Sequence, residues 1–142
     1  MGNQATETQL LNKELLGKGT PKSLDPAYQQ WLDKNYSTAA ELEKKTQAVE
    51  LFDYKQTVSI INPVYYTDAS FLEEAIQSVI AQIYPHWQLC LADDASTDSY
   101  VREILERYSN QDSRIQVIYR EQNGHISAAS NSALEIASGE FI

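Results

Sequence analysis

The stretch Trp87-Gln-Leu-Cys-Leu-Ala-Asp-Asp-Ala-Ser-Thr-Asp98 places two adjacent carboxylates, Asp93 and Asp94, directly after a largely apolar run. The residues from Gln88 to Ala92 have the length and composition of a buried strand. Carboxylates repel each other and resist burial, so a buried strand that ends in two of them indicates an edge that faces a ligand. The alternative is that Asp94 or Ser96 only caps the turn that follows.

Strands and helices alternate on both sides of this stretch. We predict strands at Val58–Ile61, stopped by Pro63, at Gln88–Ala92 and at Ile115–Tyr119, and the start of a fourth strand at Glu140–Ile142. Apolar residues at helical spacing predict helices from Phe71 through Tyr84, around Val101–Tyr108 with Asp98 as its cap, and around Ile126–Ile136. This alternation predicts an α/β fold with a parallel sheet and right-handed crossovers.

Residues 1–56 differ in pattern from the α/β part at residues 57–142. We predict that residues 1–56 form a polar lead-in followed by a helical extension. Asp25-Pro26 has the residues of a helix start, a capping aspartate with proline in the first turn. A second helix is predicted to begin at Ser37.

The composition argues against several classes of function. The net charge of −9 disfavours a nucleic-acid backbone or an anionic membrane surface as the main partner. The single cysteine, Cys90, excludes an internal disulfide and a cysteine-based zinc site, and its apolar neighbours predict a small buried side chain. Neither the glycine-rich dinucleotide fingerprint nor the P-loop occurs, so any nucleotide is held in another way.

Three loops follow the predicted strands and meet at one edge of the sheet, where open α/β sheets bind ligands. The first loop carries Tyr65 and the second carries Asp93 and Asp94. The third, at Asn123-Gly124, leads into a helix start, where backbone amides favour anions. A planar base fits against the Tyr65 ring, with a carboxylate accepting its N–H and a ribose hydroxyl nearby. Tyr65 is equally compatible with a place in the core.

Five segments together resemble the opening of a family 2 glycosyltransferase. They occur in order across residues 57–142: Val58-Ser-Ile-Ile-Asn-Pro-Val-Tyr65, Leu72-Glu-Glu-Ala-Ile-Gln-Ser-Val-Ile-Ala-Gln82, Ala92-Asp-Asp-Ala-Ser-Thr-Asp98, Asn123-Gly-His-Ile-Ser-Ala-Ala-Ser-Asn131 and Ser138-Gly-Glu-Phe-Ile142. The resemblance implies a GT-A (Rossmann-like) fold, here its N-terminal half, and a nucleotide-diphospho-sugar donor. The chain departs from the family's commoner residues at Asn62, at Tyr66 and at Ser130, which stands where many members have an arginine.

The resemblance also assigns roles by position. Pro63 and Tyr65 would line the base pocket, Asp94 would bond the base, Asp93 would lie near the ribose and Asn131 near the diphosphate. A divalent metal, Mg²⁺ or Mn²⁺, is implied for the full-length enzyme, held by a D-x-D motif. That motif and the catalytic base are expected beyond Ile142, so we assign no catalytic residue and no metal ligand within this chain.

The implied reaction transfers the sugar to a hydroxyl of a glycan acceptor, in the synthesis of a cell-surface polysaccharide. We expect a cytoplasmic location, with attachment to the inner face of the membrane as a variant. The alternative is a truncated, non-catalytic nucleotide-binding module. A receiver-like signalling domain also has an acidic pocket, but it requires a phosphorylatable aspartate after a later strand, and the third strand ends in Tyr119-Arg120.

A half-sheet leaves a strand edge and apolar helix surface uncovered. We therefore expect marginal stability, or self-association through the exposed edge. Tyr28, Trp31 and Leu32 share one face of the first predicted helix and are candidates to cover part of this surface.

The 142-residue chain is expected not to transfer sugar, because the resemblance places the metal motif and the base outside it. Purified chain incubated with UDP- and GDP-sugars and Mn²⁺ should release nucleotide diphosphate only at the background rate, measured by chromatography. Metal-dependent release at several times background would contradict this expectation.

Overall fold

The computed structural model describes residues 25–142, without the side chain of Ala39, and the earlier part of the predicted lead-in lies outside these residues. The elements in chain order are α1 (Pro26–Asn35), α2 (Ala39–Glu50), β1 (Val58–Val64), α3 (Ala69–Ile80), β2 (Trp87–Asp93), α4 (Ser99–Gln111), β3 (Ile115–Tyr119) and α5 (His125–Glu135). The predicted α/β class with a parallel sheet is confirmed.

The chain divides into two compact units. One comprises residues up to 53 together with 80–84, and the other comprises residues 54–79 and 85–142. All three strands lie in the second unit. Of the helices that the structure describes, none is both long and apolar enough to cross a membrane.

The two helices of the first unit both begin at side-chain caps. Asp25 caps α1 as predicted, and its Oδ1 accepts the N–H of Ala27 at 2.8 Å. The predicted start of α2 at Ser37 is two residues before the observed start at Ala39. Thr38 is the cap, because Thr38 and Glu41 form a reciprocal capping box in which each side chain accepts the backbone N–H of the other.

The strands are hydrogen-bonded in chain order, β1-β2-β3, and all pairs are parallel. Phe141 pairs with Val58 on the free side of β1, and the Ser59 N–H donates to the Phe141 carbonyl at 2.8 Å. The predicted fourth strand therefore begins beside β1, which is the strand order of a Rossmann half. Since the chain reverses its direction across the sheet after β3, right-handed crossovers place α3 and α4 on one face and α5 on the other.

Helix α5 packs on β2 through small side chains. Cys90 and Ala92 of β2 form a buried cluster with Ala129 and Ala133 of α5. These short side chains allow the helix to approach the sheet closely. Burial raises the pKa of the Cys90 thiol, which keeps it protonated and unreactive. The prediction of a small buried side chain at Cys90 is confirmed.

The opposite face of β2 carries larger residues. Leu89 and Leu91 alternate with Cys90 and are fully buried. Helices α3 and α4 lie side by side, since Gln77 Nε2 donates to the Tyr108 hydroxyl at 3.0 Å. The apolar face predicted for α4 is the one that it buries: Val101, Ile104, Leu105 and Tyr108.

Strand β1 continues through Val64, so the prediction that Pro63 ends it is wrong. Proline disrupts a strand by lacking the N–H that a neighbouring strand needs. In β1 the Ser59 N–H points towards Phe141, away from β2, and alternation gives Pro63 the same orientation. No bond to β2 is lost, and Pro63 pairs in register with Ala92.

Helix α3 ends at Ile80, four residues before the predicted end at Tyr84. The following Pro85 restricts only the residue before it, so it sets an outer limit and not the observed end. Leu72 and Ile76 form the buried face as predicted, whereas Phe71 is 67% exposed.

The buried side-chain amide of Gln88, in β2, joins β1 and β2 to the end of α5. Gln88 Oε1 accepts the Ser59 hydroxyl at 3.1 Å and the Ser138 N–H at 2.9 Å, while its Nε2 donates to the Ile136 carbonyl at 3.1 Å. The Gly139 N–H donates to Ser59 Oγ at 2.9 Å. These bonds fix the approach of the chain to the fourth-strand position.

Gly139→Ala should destabilise the protein. The added Cβ would lie 2.5 Å from the Thr57 carbonyl oxygen and 2.7 Å from Ser59 Oγ, so the backbone must move apart at the start of the fourth strand. We expect the free energy of unfolding to fall by about 1–3 kcal/mol, the usual cost of overpacking, in urea denaturation. Glu135→Ala, at an exposed position of α5, is the control; a loss no larger than that of the control would contradict the prediction.

Candidate functional site

The carboxyl ends of the three strands share one edge, and the backbone there is strained. Among the described residues, three that are not glycine have positive φ: Tyr66 (46°) after β1, Ala95 (62°) after β2 and His125 (63°) after β3. Such conformations cost of order 1–3 kcal/mol and cluster at ligand sites. Their coincidence at the predicted edge marks it as the candidate site.

The loop after β1 is bonded to the loop after β2. The Tyr66 N–H donates to Ser96 Oγ at 3.1 Å, and the Tyr66 hydroxyl lies 2.7 Å from Thr97 Oγ1. The Tyr100 hydroxyl, in the first turn of α4, donates to the Thr67 carbonyl at 3.2 Å. The two loops therefore form one body at the edge of the sheet.

The Tyr65 ring stands at this edge and is 50% exposed. It meets the Tyr66 ring edge to face, with centroids 4.5 Å apart and planes at 77°. The alternative of a core aromatic does not describe this position, because half of the side chain remains open to solvent. Pro63, the other predicted base-pocket residue, lies two residues earlier within β1 and is partly buried.

Asp94 faces inward, towards the loop after β3. It is 1% exposed, and its Oδ1 accepts Arg120 Nε at 2.7 Å and the Gly124 N–H at 3.0 Å. Arg120 also donates through Nη1 to Ser132 Oγ of α5 at 2.6 Å. A Cβ at residue 124 would lie 2.5 Å from Arg120 Nη2 and 2.7 Å from the Ala128 Cβ, so a side chain there would have to displace Arg120 and the first turn of α5.

Sequence reasoning missed Arg120 as a site residue. It is the first residue after β3, and the parallel register pairs Asp93 with Tyr119, which puts Arg120 beside Asp94. The signal in the sequence is a single arginine directly after β3, which is the neighbour of the strand that ends in two aspartates, β2.

Asp93 and Asp98 divide the local turn roles differently from the prediction. Asp93 is 4% exposed, and its Oδ1 accepts the Ser96 N–H at 3.2 Å. Asp93 therefore caps the turn after β2, for which the sequence had offered Asp94 or Ser96 as the cap. Asp98 occupies the N-cap position of α4, as predicted, but makes no side-chain cap bond.

Asn131 belongs to α5 and not to the loops at the strand edge. It is exposed, six residues after the helix start at His125, which is about 9 Å along the helix axis. The structure thus brings Tyr65, Asp93 and Asp94 to one strand edge, whereas Asn131 lies within the helix, one residue before Ser132, which accepts a bond from Arg120.

An open cleft of about 360 Å³ adjoins the cluster, lined by Ile118, Tyr119, Arg120, Glu121 and Gln122. Arg102 lies 4.1 Å above the centre of the Tyr119 ring. Burial raises the pKa of the Tyr119 hydroxyl, so it remains neutral at physiological pH. The cleft is therefore lined by one cation, Arg120, one carboxylate, Glu121, and one neutral aromatic ring, Tyr119.

The described residues do not fit a divalent metal on their own. No group of three or more histidine, cysteine, aspartate or glutamate side chains converges within residues 25–142. Asp94 is engaged by the Arg120 guanidinium, which competes with a cation for the same oxygens. We therefore assign no chemical step to a metal held by these residues.

Asp94→Ala should lower the free energy of unfolding by about 3 kcal/mol, because it leaves Arg120 and the Gly124 N–H without their buried partner. Asp98→Ala should cost under about 1 kcal/mol, since Asp98 makes no side-chain cap bond and its charge interacts with the start of the helix. Urea denaturation compares the two. Equal losses would show that the Asp94 pair does not hold this edge together.

Comparison with known proteins gives a family and a fold. The model of the family described as Glycosyl transferase family 2 matches residues 59–142. The uncharacterized protein y4gI of Sinorhizobium fredii is 54% identical over 85 residues, which are 60% of this chain and 9% of that protein. TuaG of Bacillus subtilis, named as a teichuronic acid biosynthesis glycosyltransferase, is 40% identical over 90 residues, 63% of this chain and 35% of that protein. The chain thus spans about a third or less of the length of these relatives.

One solved structure supports the architecture. The mannosyltransferase PcManGT from Pyrobaculum calidifontis, in complex with GDP-Man and Mn²⁺, matches with a TM-score of 0.54 and 22% identity, over 68% of this chain and 31% of that one. At this identity the likeness establishes the fold, which is the predicted GT-A fold. Because the family model covers more than half of the residues, the chain belongs to glycosyltransferase family 2.

Proposed function

We propose that the loops at the carboxyl edge bind the nucleotide of a nucleotide-diphospho-sugar, and that the chain is the donor-binding part of a glycosyltransferase. The observation that carries the proposal is the half-exposed Tyr65 ring at the same strand edge as the buried carboxylates of Asp93 and Asp94, since Val64 at the end of β1 pairs in register with Asp93. An aromatic face next to acceptor oxygens suits a nucleoside, which presents a flat base with N–H groups and a ribose with hydroxyls.

The base would stack on Tyr65, and Pro63, two residues earlier in β1, would line the same pocket. An ionised carboxylate has about four acceptor positions, and Asp94 meets two donors: Oδ1 accepts Arg120 Nε, and the Gly124 N–H is shared between Oδ1 at 3.0 Å and Oδ2 at 3.1 Å. We assign the remaining acceptor capacity of Oδ2 to a base N–H, and we assign Asp93 to the ribose side.

The diphosphate would lie towards α5. The first turn of α5 offers backbone amides that favour anions, and Asn131 on the same helix is our candidate for a further contact. The chain carries a net charge of −9, so phosphate groups bound here need a counter-charge. In the full-length enzyme we propose that a divalent cation, Mg²⁺ or Mn²⁺, supplies it.

The acceptor would be a hydroxyl group of a glycan, in the synthesis of a cell-surface polysaccharide. The support for this is the family membership and the naming of TuaG for teichuronic acid biosynthesis. We propose a cytoplasmic location for the reaction, with attachment to the inner face of the membrane as a variant. The rival proposal, a module that binds nucleotide without transferring sugar, shares the same pocket and differs only in turnover.

Tyr65→Ala tests the base pocket. Stacking of a base on an aromatic ring is worth about 1–3 kcal/mol, so the affinity for UDP or GDP should fall roughly 5- to 150-fold in calorimetric titration. Tyr28→Ala is a matched control, because Tyr28 is 51% exposed and lies on α1, in the other unit.

The outcome separates the pocket from general effects of losing an exposed ring. An unchanged affinity in Tyr65→Ala, or the same loss in both variants, would contradict the proposed pocket. Turnover of UDP- or GDP-sugars by protein that retains this binding would then decide between the transferase and the binding module.

A further inference from the structure

We propose that Tyr66 is a positioning residue, which holds the Tyr65 ring in the orientation that the base stacks on. The inference rests on the proposed function and deepens it. It concerns one of the positions at which this chain departs from the commoner residues of the family.

The backbone of Tyr66 is the first observation. Its φ of 46° is rare for a bulky aromatic residue and costs free energy. Burial of the side chain does not stabilise this strained backbone conformation, because Tyr66 is 44% exposed. A specific set of contacts must therefore offset the strain.

Those contacts are bonds to the neighbouring loop at both ends of the residue. The backbone N–H donates to Ser96 Oγ at 3.1 Å, and the hydroxyl lies 2.7 Å from Thr97 Oγ1. Ser96 is itself bonded through its N–H to Asp93 Oδ1 at 3.2 Å. Tyr66 is thus fixed to the same turn that holds a predicted ribose-side carboxylate.

The fixed ring of Tyr66 in turn restricts the ring of Tyr65. The two rings meet at 77° with centroids 4.5 Å apart, an edge-to-face contact that restricts how the Tyr65 ring tilts. A half-exposed tyrosine without such a partner samples several rotamers and loses that freedom on binding. Fixing the ring in advance removes this cost, so the Tyr66–Thr97 bond should strengthen nucleotide binding without touching the nucleotide.

A double-mutant cycle tests this. Tyr66→Phe and Thr97→Val each remove the hydroxyl bond, and each should weaken UDP or GDP binding about fivefold, the equivalent of one neutral hydrogen bond. Since both changes break the same bond, the double variant should also lose about fivefold. Thr97→Ser keeps the hydroxyl and should restore the affinity, and Tyr28→Phe is the matched control on α1.

A second measurement does not need the nucleotide. In the free chain with ¹³C-labelled tyrosine, the ring signals of Tyr65 should shift and broaden in Tyr66→Phe and Thr97→Val, but not in Thr97→Ser. This readout reports the order of the ring, which overall stability does not set.

The outcomes are distinguishable. An affinity loss of about 25-fold in the double variant, the product of two independent fivefold losses, would mean that each hydroxyl contacts the nucleotide separately. Unchanged ring signals of Tyr65 would mean that the bond between Tyr66 and Thr97 does not order the ring. Either overturns the inference. If Tyr65→Ala leaves binding intact, the proposed base pocket fails and the role in base stacking fails with it. The Tyr65 signals of the free chain then show only whether the bond orders the ring.

Discussion

The bond between the buried Asp94 carboxylate and the Arg120 guanidinium is the interaction on which the carboxyl edge of the sheet depends. The two residues directly follow neighbouring parallel strands, and the register between β2 and β3 sets them side by side. The same carboxylate accepts the Gly124 N–H at the start of α5. One side chain therefore fixes the end of β2, the loop after β3 and the residue before α5. Asp94 is the buried partner, so removing Arg120 leaves the carboxylate charge buried without compensation.

This bond is one end of a pattern that runs along a single face of β2. Gln88, Cys90, Ala92 and Asp94 alternate to the side of the sheet that α5 covers. The outer two are polar and meet opposite ends of the helix, since Gln88 donates to the Ile136 carbonyl and Asp94 accepts the Gly124 N–H. The inner two are small and apolar. A shift of α5 along the strand would break both polar contacts together, so the pattern sets the position of the helix as well as its face.

The site is built on this rigid base by loops that are individually strained. Tyr66, Ala95 and His125 have positive φ. Tyr66 and Ala95 each lie two residues after a strand end, and His125 is the first residue of α5, after the loop that follows β3. Bonds between the loops hold these conformations in place, as between Tyr66 and Thr97. The aromatic face and the carboxylates consequently belong to one preorganised edge, although they come from separate segments of the chain.

Local patterns in the sequence determined the elements of this protein, and only the tertiary structure decided which side chains meet. The spacing of Val101, Ile104, Leu105 and Tyr108 specifies the buried face of α4, because helical periodicity is a property of the segment itself. The alternation of strands and helices likewise specifies the parallel sheet and the edge where Tyr65, Asp93 and Asp94 lie.

The features that the sequence did not predict are those that depend on a neighbouring element. Pro63 stays within β1 because its nitrogen points away from β2, and Asp94 turns inward because the register places Arg120 beside it. The partner of Asp94 lies 26 residues away along the chain. Such a contact is fixed by the packing of two strands and a helix, which no short stretch of sequence encodes.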